Sequence, residues 1–395
     1  MRGKKGTAPI CAKHPSGRSG KWGLSPFSRL CLRIGLVAVG LFAGARSMSQ
    51  SAAEDRLPAV LKGNFATFRT PPPESLQAWE ARRKELRRKL WELFGDLPPL
   101  LTPEVKVTGK ESRPGYTLER FTFPNGVGDT VFGYVLVPEG RTGRGPAILY
   151  NHYHGGRYQQ GKEELLIPAF ADGGHNLHTG EELVRAGYVV LAIDAYAFGE
   201  RQFHGPGGAE DQGGQTEQSL FKMFLWQGRS LWGMMVRDDI LALNYLVTRP
   251  EVDPQRIAAM GMSMGSTRTW WLAALDDRIK VAVTVACLTR YQDLIATGKL
   301  HCHGIYYFVP GMLKEKIDTE SVVGLIAPRP LLTLTGDQDD GSPASGVRTI
   351  NGFQERLYRL YGKAENFRGV LYPGLGHVYT PEMWQETLQW LKKHL

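Results

Sequence analysis

The sequence has few cysteines, four among 395 residues. Cys11 and Cys31 lie within the first 45 residues, so only Cys287 and Cys302 lie in the rest of the chain. Small secreted domains that depend on disulfides are much richer in cysteine, so this class of protein is excluded. Two arrangements of Cys287 and Cys302 stay open: a single bridge between them, or two separate buried thiols.

The chain beyond residue 45 also lacks an excess of charge of either sign. The formal net charge of the whole sequence is +9, but residues 1–45 contain eight lysines or arginines and no acidic residue. The remainder has 40 basic and 39 acidic residues. Proteins that bind nucleic acid through their overall charge carry a clear basic excess, so no nucleic-acid partner is expected.

A hydrophobic run long enough to span a membrane is missing as well. The run Ile34–Ala45 is shorter than the roughly 20 apolar residues that a spanning helix needs. It follows basic residues and ends in the small-residue pattern that precedes cleavage by signal peptidase. We therefore predict a signal peptide over residues 1–45, with a second cleavage option after Ala53, and export to the periplasm or the extracellular space. The long basic region before the run makes an uncleaved N-terminal membrane anchor the alternative; after cleavage, no stable membrane insertion is expected.

The rest of the chain alternates β-rich and helical patterns, which is typical of an α/β fold with a mostly parallel sheet and helices on both faces. The pattern predicts eight strands, at residues 116–123, 131–137, 146–151, 188–193, 257–262, 280–286, 330–335 and 368–372. It predicts helices at 181–186, 231–248, 264–275, 344–361 and from Pro381 to the C-terminus. Residues 54–115 are predicted to form an N-terminal extension with an amphipathic helix over 74–94, and residues 116–395 the main domain.

Two insertions interrupt this alternation, at residues 200–229 and 287–326. Both are rich in aromatic residues and glycine, and each follows a predicted strand. Loops at the carboxyl ends of parallel strands are where ligands bind, so the insertions are predicted to line a pocket.

The pentapeptide Gly261–Gly265 (GMSMG) lies between a predicted strand and a predicted helix. A G-x-S-x-G sequence in this position forms a tight turn that requires glycine on both sides and exposes the serine hydroxyl above the sheet. The flanking strand and helix disfavour the alternative, a glycine-rich turn with an inert serine. Ser263 is therefore predicted to be a catalytic nucleophile.

A serine nucleophile needs a histidine base and an acid that orients the histidine, and here these should follow the serine in the chain. The loop after strand 330–335 contains Asp337, Asp339 and Asp340. Spacing from the glycine that ends the strand and from the following proline selects Asp339 as the acid, with Asp340 as the alternative. His377, in a glycine-rich loop after the last strand, is the predicted base, which makes residues 116–395 the catalytic domain.

The oxyanion of the tetrahedral intermediate needs two hydrogen-bond donors. One is predicted to be the backbone N–H of Met264, at the start of the helix after Ser263. The other should come from the loop 151–156 (NHYHGG), as the N–H of His154 or of Tyr153. This chemistry requires no cofactor and no metal.

Several side chains of this loop and of the two insertions are candidate walls of the substrate pocket. Each of them could equally belong to the core, which is the more common place for an aromatic side chain. The candidates are Tyr153, Phe203, Phe224, Trp226, His303, Tyr306 and Tyr307.

Three further segments, Asp194–Arg201 (DAYAFGER), Arg249–Ile257 (RPEVDPQRI) and Ala327–Pro330 (APRP), resemble the dienelactone hydrolase and acetyl xylan esterase branches of the α/β-hydrolase superfamily. The resemblance implies an α/β-hydrolase fold with short lid insertions. It also implies hydrolysis of a carboxylic ester, of the acetyl-ester or carbohydrate-ester type. Dienelactone hydrolases proper have a cysteine nucleophile where this chain has Ser263, so opening of a lactone ring is not implied.

Three alternative functions compete with that of an esterase. The pairs His152/His154 and His301/His303 could hold zinc, but the first belongs to the predicted oxyanion loop and the second to an aromatic insertion. A catalytically inactive binding protein is disfavoured by the intact serine, acid and histidine. A peptidase of the prolyl-oligopeptidase type is the third alternative, although such enzymes carry a large additional domain for which this chain has no length. The expected partner is a small-molecule or carbohydrate ester.

Overall fold

The computed structural model describes residues 68–168 and 178–395. The predicted signal peptide and residues 54–67 of the predicted extension lie outside these ranges. The described residues form one sheet of nine strands. The strands are β1 (Lys106–Arg113), β2 (Tyr116–Pro124), β3 (Thr130–Pro138), β4 (Gly145–Asn151), β5 (Val189–Ile193), β6 (Val252–Met262), β7 (Val281–Val285), β8 (Leu331–Gly336) and β9 (Phe367–Tyr372).

The sheet has the order β1-β2-β3-β5-β4-β6-β7-β8-β9. The pairings β1–β2, β2–β3 and β3–β5 are antiparallel, and the other five pairings are parallel. Strand β4 pairs with both β5 and β6, so the direction in which the chain crosses the sheet reverses beside it. In open α/β sheets, ligands bind at the carboxyl ends of strands near such a reversal. The loops after β4 and β6 are therefore placed where a site is expected.

Strands β2 to β9 correspond to the eight strands predicted from the sequence. Strand β1 was not predicted. It lies at the edge of the sheet, and its residues are exposed or half-buried. An edge strand without a buried face has no apolar alternation, which is the signal that identified the other strands.

Nine α-helices lie in the described residues and cover both faces of the sheet. They are α1 (Leu76–Phe94), α2 (Thr179–Arg185), α3 (Gly214–Trp226), α4 (Leu231–Leu246), α5 (Met264–Leu275), α6 (Tyr291–Ala296), α7 (Thr319–Gly324), α8 (Ala344–Leu360) and α9 (Pro381–His394). Side chains of α1, α4, α5, α7 and α8 share one apolar core. Side chains of α2 and α9 belong to a second core, on the opposite face.

Helix α1 corresponds to the amphipathic helix predicted in the N-terminal extension. It buries Trp79, Leu90 and Phe94 in the first core, and its Arg87 side chain donates a hydrogen bond to the carbonyl of Ala274 (3.0 Å). The helix thus packs directly on the sheet domain. The boundary at residue 115 stays a prediction, although the sheet itself begins earlier, at β1.

The first insertion contains helix α3, which the sequence pattern did not reveal. The second insertion contains α6, α7 and short 3-10 turns. Nowhere in residues 68–168 and 178–395 does a helix combine the length and the apolar character that crossing a bilayer requires.

Candidate active site

Ser263 occupies the turn between β6 and α5. Its φ of 57° lies in the left-handed region, which is costly for a residue with a side chain and is typical of functional turns. The backbone N–H of Ser263 donates to the carbonyl of Val285 (2.9 Å), so the turn is fixed to the end of β7. Ser263 is 8% exposed and lies at the carboxyl edge of the sheet, directly after β6.

The glycines on either side of this turn are required by a neighbouring strand. A Cβ on Gly261 would lie 2.4 Å from the carbonyl oxygen of Asn151, and a Cβ on Gly265 only 2.0 Å from the same oxygen. Asn151 is the last residue of β4, and its side-chain amide donates to the Thr269 hydroxyl of α5 (3.0 Å). Close packing between the end of β4 and the first turn of α5 therefore explains the G-x-S-x-G pattern.

Asp339 and His377 form a hydrogen-bonded pair in the loops after β8 and β9. The Nδ1 of His377 donates to the Asp339 Oδ2 (2.8 Å), and the Gly341 N–H donates to the other carboxylate oxygen (2.9 Å). Burial by itself raises the pKa of Asp339, but the charge and hydrogen bond of His377 outweigh it and hold that pKa below its usual value. Asp339 is therefore an ionised acceptor that fixes the histidine tautomer.

The other two acids of this loop have different partners. The Asp340 carboxylate pairs with the Lys299 ammonium (2.9 Å) at the surface. The Asp337 carboxylate accepts a hydrogen bond from the Gly374 N–H (2.8 Å), as a turn residue does. Of the three, Asp339 is the one whose hydrogen bond to His377 the structure shows.

Cys287 lies directly beside Ser263. Its sulfur is 3.6 Å from the Ser263 Oγ, and the Tyr307 hydroxyl is 3.8 Å from the same sulfur. Cys287 is a buried free thiol, so the bridge to Cys302 that the sequence left open does not form. Burial raises the pKa of Cys287 to about 12, and the negative charge of Asp339 adds to the effect. The thiol beside the serine is thus protonated at neutral pH and lies within electrostatic reach of Asp339.

A strained turn places this thiol. Ala286 and Cys287 both have a positive φ, 56° and 46°. Three side chains of α5 hold the carbonyls of these two residues: the Ser266 hydroxyl binds the first (2.6 Å), and the Thr267 hydroxyl and Trp270 indole bind the second (both 3.4 Å). Helix α5, which begins directly after Ser263, therefore also fixes the turn that places Cys287.

The predicted oxyanion donors lie in α5 and in the loop after β4. The N–H of Met264 is the first in α5 and has no carbonyl within the helix to bond. The N–H of Tyr153 donates to the buried Glu164 carboxylate (2.9 Å), so it is already engaged. Of the two residues that the sequence left open for the second donor, His154 is the one that this geometry favours.

The ring of His154 is held at both nitrogens. Its Nδ1 accepts from the Gly156 N–H (3.0 Å), and its Nε2 donates to the Glu217 carboxylate of α3 (2.9 Å). Gly155, which lies between His154 and Gly156 in the chain, has a φ of 48°, and a Cβ there would lie 2.0 Å from the Tyr153 ring. This loop therefore depends on glycine at position 155.

Glu164 and Glu217 are the site residues that sequence reasoning missed. Both carboxylates are buried, and both bind the oxyanion loop. The Tyr150 hydroxyl also donates to Glu164 (2.6 Å), and burial raises the pKa of Glu164 to about 7 in spite of both hydrogen bonds. Neither glutamate lies in a motif, so no local signal could have identified it.

The structure brings some of the predicted pocket residues to the site. The Tyr153 ring lies 6.1 Å from that of His377, and the Tyr306 ring stacks on that of His154 at 4.9 Å. The Nε2 of His303 donates to the carbonyl of Gly341 (2.8 Å), so His303 supports the loop that carries the acid. Burial lowers the pKa of His303 to about 4, which keeps its ring neutral.

Three other predicted wall residues lie elsewhere in the first insertion. Phe224 is buried, with its ring 5.5 Å from that of Tyr196. Phe203 is 42% exposed and Trp226 is 91% exposed, so Trp226 projects into solvent rather than forming the wall of an enclosed pocket. A role for Phe203 and Phe224 as pocket walls stays a prediction.

Of the histidine pairs considered as zinc ligands, His152 and His154 use both ring nitrogens in hydrogen bonds within the protein. The Nε2 of the buried His152 accepts from the Ala195 N–H (3.0 Å), and its Nδ1 donates to the carbonyl of Tyr153 (2.9 Å). Burial holds the pKa of His152 well below its usual value. Within residues 68–168 and 178–395, no three histidine, cysteine, aspartate or glutamate side chains are grouped as metal ligands.

Known proteins resemble this chain in sequence. The model of the dienelactone hydrolase family matches residues 171–395. The chain is 37% identical over 316 residues to the "Putative hydrolase YtaP" of Bacillus subtilis, covering 79% of this chain and all of the relative. It is 24% identical to the "Uncharacterized peptidase YuxL" of the same organism, over 70% of this chain and 40% of the relative.

A solved structure shows the same fold at low sequence identity. It is described as a "putative acetyl xylan esterase" from Bacteroides fragilis, and it superposes with a TM-score of 0.65 at 20% identity, over 89% of this chain and 96% of that one. With the family match, this establishes the α/β-hydrolase fold that the sequence predicted. The chain belongs to the dienelactone hydrolase family.

Proposed function

We propose that this protein is a serine hydrolase that cleaves carboxylic esters through an acyl-enzyme. Ser263 is the nucleophile, His377 the base and Asp339 the orienting acid. The observation that carries the proposal is the 2.8 Å hydrogen bond from His377 to the buried Asp339 carboxylate. This pair follows β8 and β9 at the same edge of the sheet at which Ser263 follows β6.

The proposed reaction begins with attack of the Ser263 Oγ on the ester carbonyl carbon. Because Asp339 binds the Nδ1–H of His377, the lone pair of the imidazole is on Nε2, which takes the serine proton. The negative charge on the carbonyl oxygen is stabilised by the N–H groups of Met264 and His154. His377 then protonates the departing alcohol, and water releases the acid from Ser263 by the same steps in reverse.

The surroundings of Ser263 support a small acyl group. Cys287 occupies one side of the serine hydroxyl (3.6 Å), and the Tyr307 hydroxyl packs behind it against the same sulfur (3.8 Å). An acetyl group requires less room than the longer acyl chains of lipids. We therefore propose acetyl esters as substrates.

A carbohydrate is the proposed alcohol of the substrate. Tyr153 is 9% exposed and its ring lies 6.1 Å from that of His377, so an aromatic side chain lies beside the proposed base, where a sugar ring could pack. The fold is shared with a structure described as an acetyl xylan esterase. Export directed by residues 1–45 belongs to the same proposal, since polymeric carbohydrate lies outside the cytoplasm.

The test is release of p-nitrophenol from its acetate and butyrate esters by the protein without residues 1–45. We expect turnover of the acetate ester, a lower rate with butyrate, and covalent labelling of Ser263 by a fluorophosphonate. The matched variant Ser263→Ala should lose both turnover and labelling. Wild-type protein that neither turns over an ester nor reacts with the fluorophosphonate would overturn the proposal in favour of a binding protein.

Similarity to YuxL makes a peptidase the second candidate function, although the chain spans only 40% of that relative. Acetate esters and the p-nitroanilides of short peptides distinguish the two candidates, because the nitrogen of an anilide is a much poorer leaving group than the oxygen of a phenyl ester. We expect acetate esters to be cleaved and the p-nitroanilides of short peptides to remain intact. Faster cleavage of the anilides would replace the esterase with a peptidase.

A further inference from the structure

We propose that Glu217, on helix α3 of the first insertion, is a positioning residue that aims the backbone N–H of His154 at the oxyanion. This inference rests on the proposed function, since it concerns the transition state of that reaction. Glu217 lies 63 residues after His154 in the chain, and its carboxylate binds the imidazole Nε2 (2.9 Å). This contact between Glu217 and His154 makes the first insertion part of the oxyanion site.

The hydrogen bonds of His154 define a single tautomer. The Gly156 N–H donates to Nδ1, so Nδ1 is an acceptor and the ring proton is on Nε2. That proton is donated to the Glu217 Oε2, which also accepts from the Tyr158 hydroxyl at 3.3 Å. Because Glu217 is 4% exposed, water does not readily replace it as the acceptor.

Aromatic contacts hold the same ring from its faces and edges. Tyr306 of the second insertion stacks on it with an interplanar angle of 15°. Tyr158 and Phe198 make edge contacts with it, each with ring centroids 5.0 Å apart. The imidazole is therefore enclosed, and Glu217 fixes its remaining rotation through a directional hydrogen bond.

The backbone of this loop needs such support. Gly155 and Gly156 both have a positive φ, 48° and 70°, and glycine leaves the chain more conformational freedom than any other residue. The peptide before His154 is held at its carbonyl by the His152 Nδ1–H (2.9 Å), and the His154 carbonyl accepts from the Arg157 N–H (2.8 Å), so the ring contacts add a further restraint to a backbone that the glycines do not stiffen. A ring held by Glu217 on one side and by Tyr306 on another restricts the Cα of His154 and, with it, the direction of the N–H.

The test compares Glu217→Leu, which removes the acceptor, with Glu217→Gln, which keeps a carbonyl oxygen for the Nε2–H. Misplacement of a catalytic group by about 1 Å costs on the order of 100-fold, so we expect Glu217→Leu to lower kcat for p-nitrophenyl acetate by roughly 10- to 100-fold. The KM should stay within about 2-fold, because the oxyanion contact strengthens only in the transition state. Glu217→Gln should stay within about 5-fold of wild type in kcat.

The neighbouring Gln218, exposed on the same helix, offers a matched control, since Gln218→Leu makes a similar change outside the contact. A second readout separates positioning from loss of fold: inhibition by a trifluoromethyl ketone, which forms a tetrahedral oxyanion on Ser263. In Glu217→Leu its inhibition constant should rise by the same factor by which kcat falls. Covalent labelling of Ser263 should still go to completion, which shows that the triad is intact.

His154→Phe supports the inference independently if Glu217→Leu does not fold. It keeps the backbone N–H and the stacked ring but loses the hydrogen bond, so it should lower kcat as Glu217→Leu does, and the double variant should be no worse than either. Additive losses, or a Glu217→Leu enzyme as active as Gln218→Leu, overturn the inference while the esterase stands. An inert wild-type protein overturns the proposed function instead.

Discussion

The carbonyl oxygen of Asn151 lies 2.0 Å from the point at which a side chain on Gly265 would begin. The contact joins the end of β4, which leads into the oxyanion loop, to the first turn of α5, which follows the nucleophile. Because residue 265 has no side chain, the end of β4 packs closely on the start of α5. This packing sets the distance between the two proposed oxyanion donors, Met264 and His154.

Replacing Gly265 with alanine tests this relationship. A methyl group at this position would overlap a backbone oxygen that belongs to a central strand, so one of the two elements must move. We expect Gly265→Ala to be destabilised by about 1–3 kcal/mol, the usual cost of overpacking. Its kcat should fall by about 100-fold or more, since the donors are displaced. Urea unfolding and kinetics on p-nitrophenyl acetate measure the two effects.

Gly352 is the control, because it lies in helix α8 and a Cβ there meets nothing within 4 Å. Alanine is a better helix former than glycine, so Gly352→Ala should be more stable by up to about 1 kcal/mol, with unchanged activity. Equal stability and equal activity of the two alanine variants would show that the contact with Asn151 is not the reason for glycine at position 265.

The contrast between Asp339 and Asp340 gives a second prediction. Asparagine at 339 cannot accept the Nδ1–H as an ionised partner and favours the wrong histidine tautomer, which in triads of this kind lowers kcat by about 10,000-fold. Asp340→Asn removes only a surface ion pair with Lys299, and its kcat should stay within about 2-fold of wild type. Steady-state kinetics of both variants at one pH measure the difference. A larger loss in Asp340→Asn would assign the triad acid to that residue instead.

Strand patterns and local motifs carried most of what the sequence could predict. The inner strands β6 and β8 end in largely apolar, buried segments (IAAMGM and LLTLTG), and Ser263, Asp339 and His377 each follow a predicted strand at a short distance along the chain. Information of this kind is local, so no knowledge of distant contacts was needed. The edge strand β1 carries no such pattern and was missed.

Contacts between distant side chains could not be predicted. The choice between Tyr153 and His154 depends on which N–H the Glu164 carboxylate takes, and the fixing of His154 depends on Glu217, in a segment with no helical signal. The prediction that Phe224 and Trp226 line the same pocket conflicts with the structure for a related reason. Residues two apart on a helix point in nearly opposite directions, so Phe224 and Trp226 of α3, one buried and the other exposed, could not both face one pocket.

Variants of Cys287 and Ser263 test whether the thiol of Cys287 takes part in the reaction. Its sulfur is 3.6 Å from the Ser263 Oγ, but burial raises its pKa to about 12, so almost no thiolate exists at neutral pH. We expect Ser263→Ala to keep less than about one thousandth of the wild-type kcat, because the cysteine cannot replace the serine. Cys287→Ala should remain active within about 10-fold. Appreciable turnover by Ser263→Ala that disappears in the double variant would make Cys287 the nucleophile.

Glu164 should make stability depend on pH near neutrality. Burial raises its pKa in the folded protein to about 7, from its ordinary value of 4.5. A raised folded pKa means that its contribution to stability is fully present below about pH 4.5 and is lost as the pH rises through about 7. Glu164→Gln has no such proton, so the free energy of unfolding of wild type relative to this variant should fall by up to about 3 kcal/mol between pH 5 and pH 8.

Urea unfolding of both proteins at pH 5, 6, 7 and 8 measures this difference, in which the contributions of His377 and other shared groups cancel. The glutamine can still accept the Tyr153 N–H through its carbonyl oxygen, so kcat at pH 8 should stay within about 5-fold of wild type. A difference that is constant with pH would show that Glu164 titrates in its ordinary range. A variant that keeps its stability but loses activity would instead assign the negative charge of Glu164 a direct part in holding the oxyanion loop.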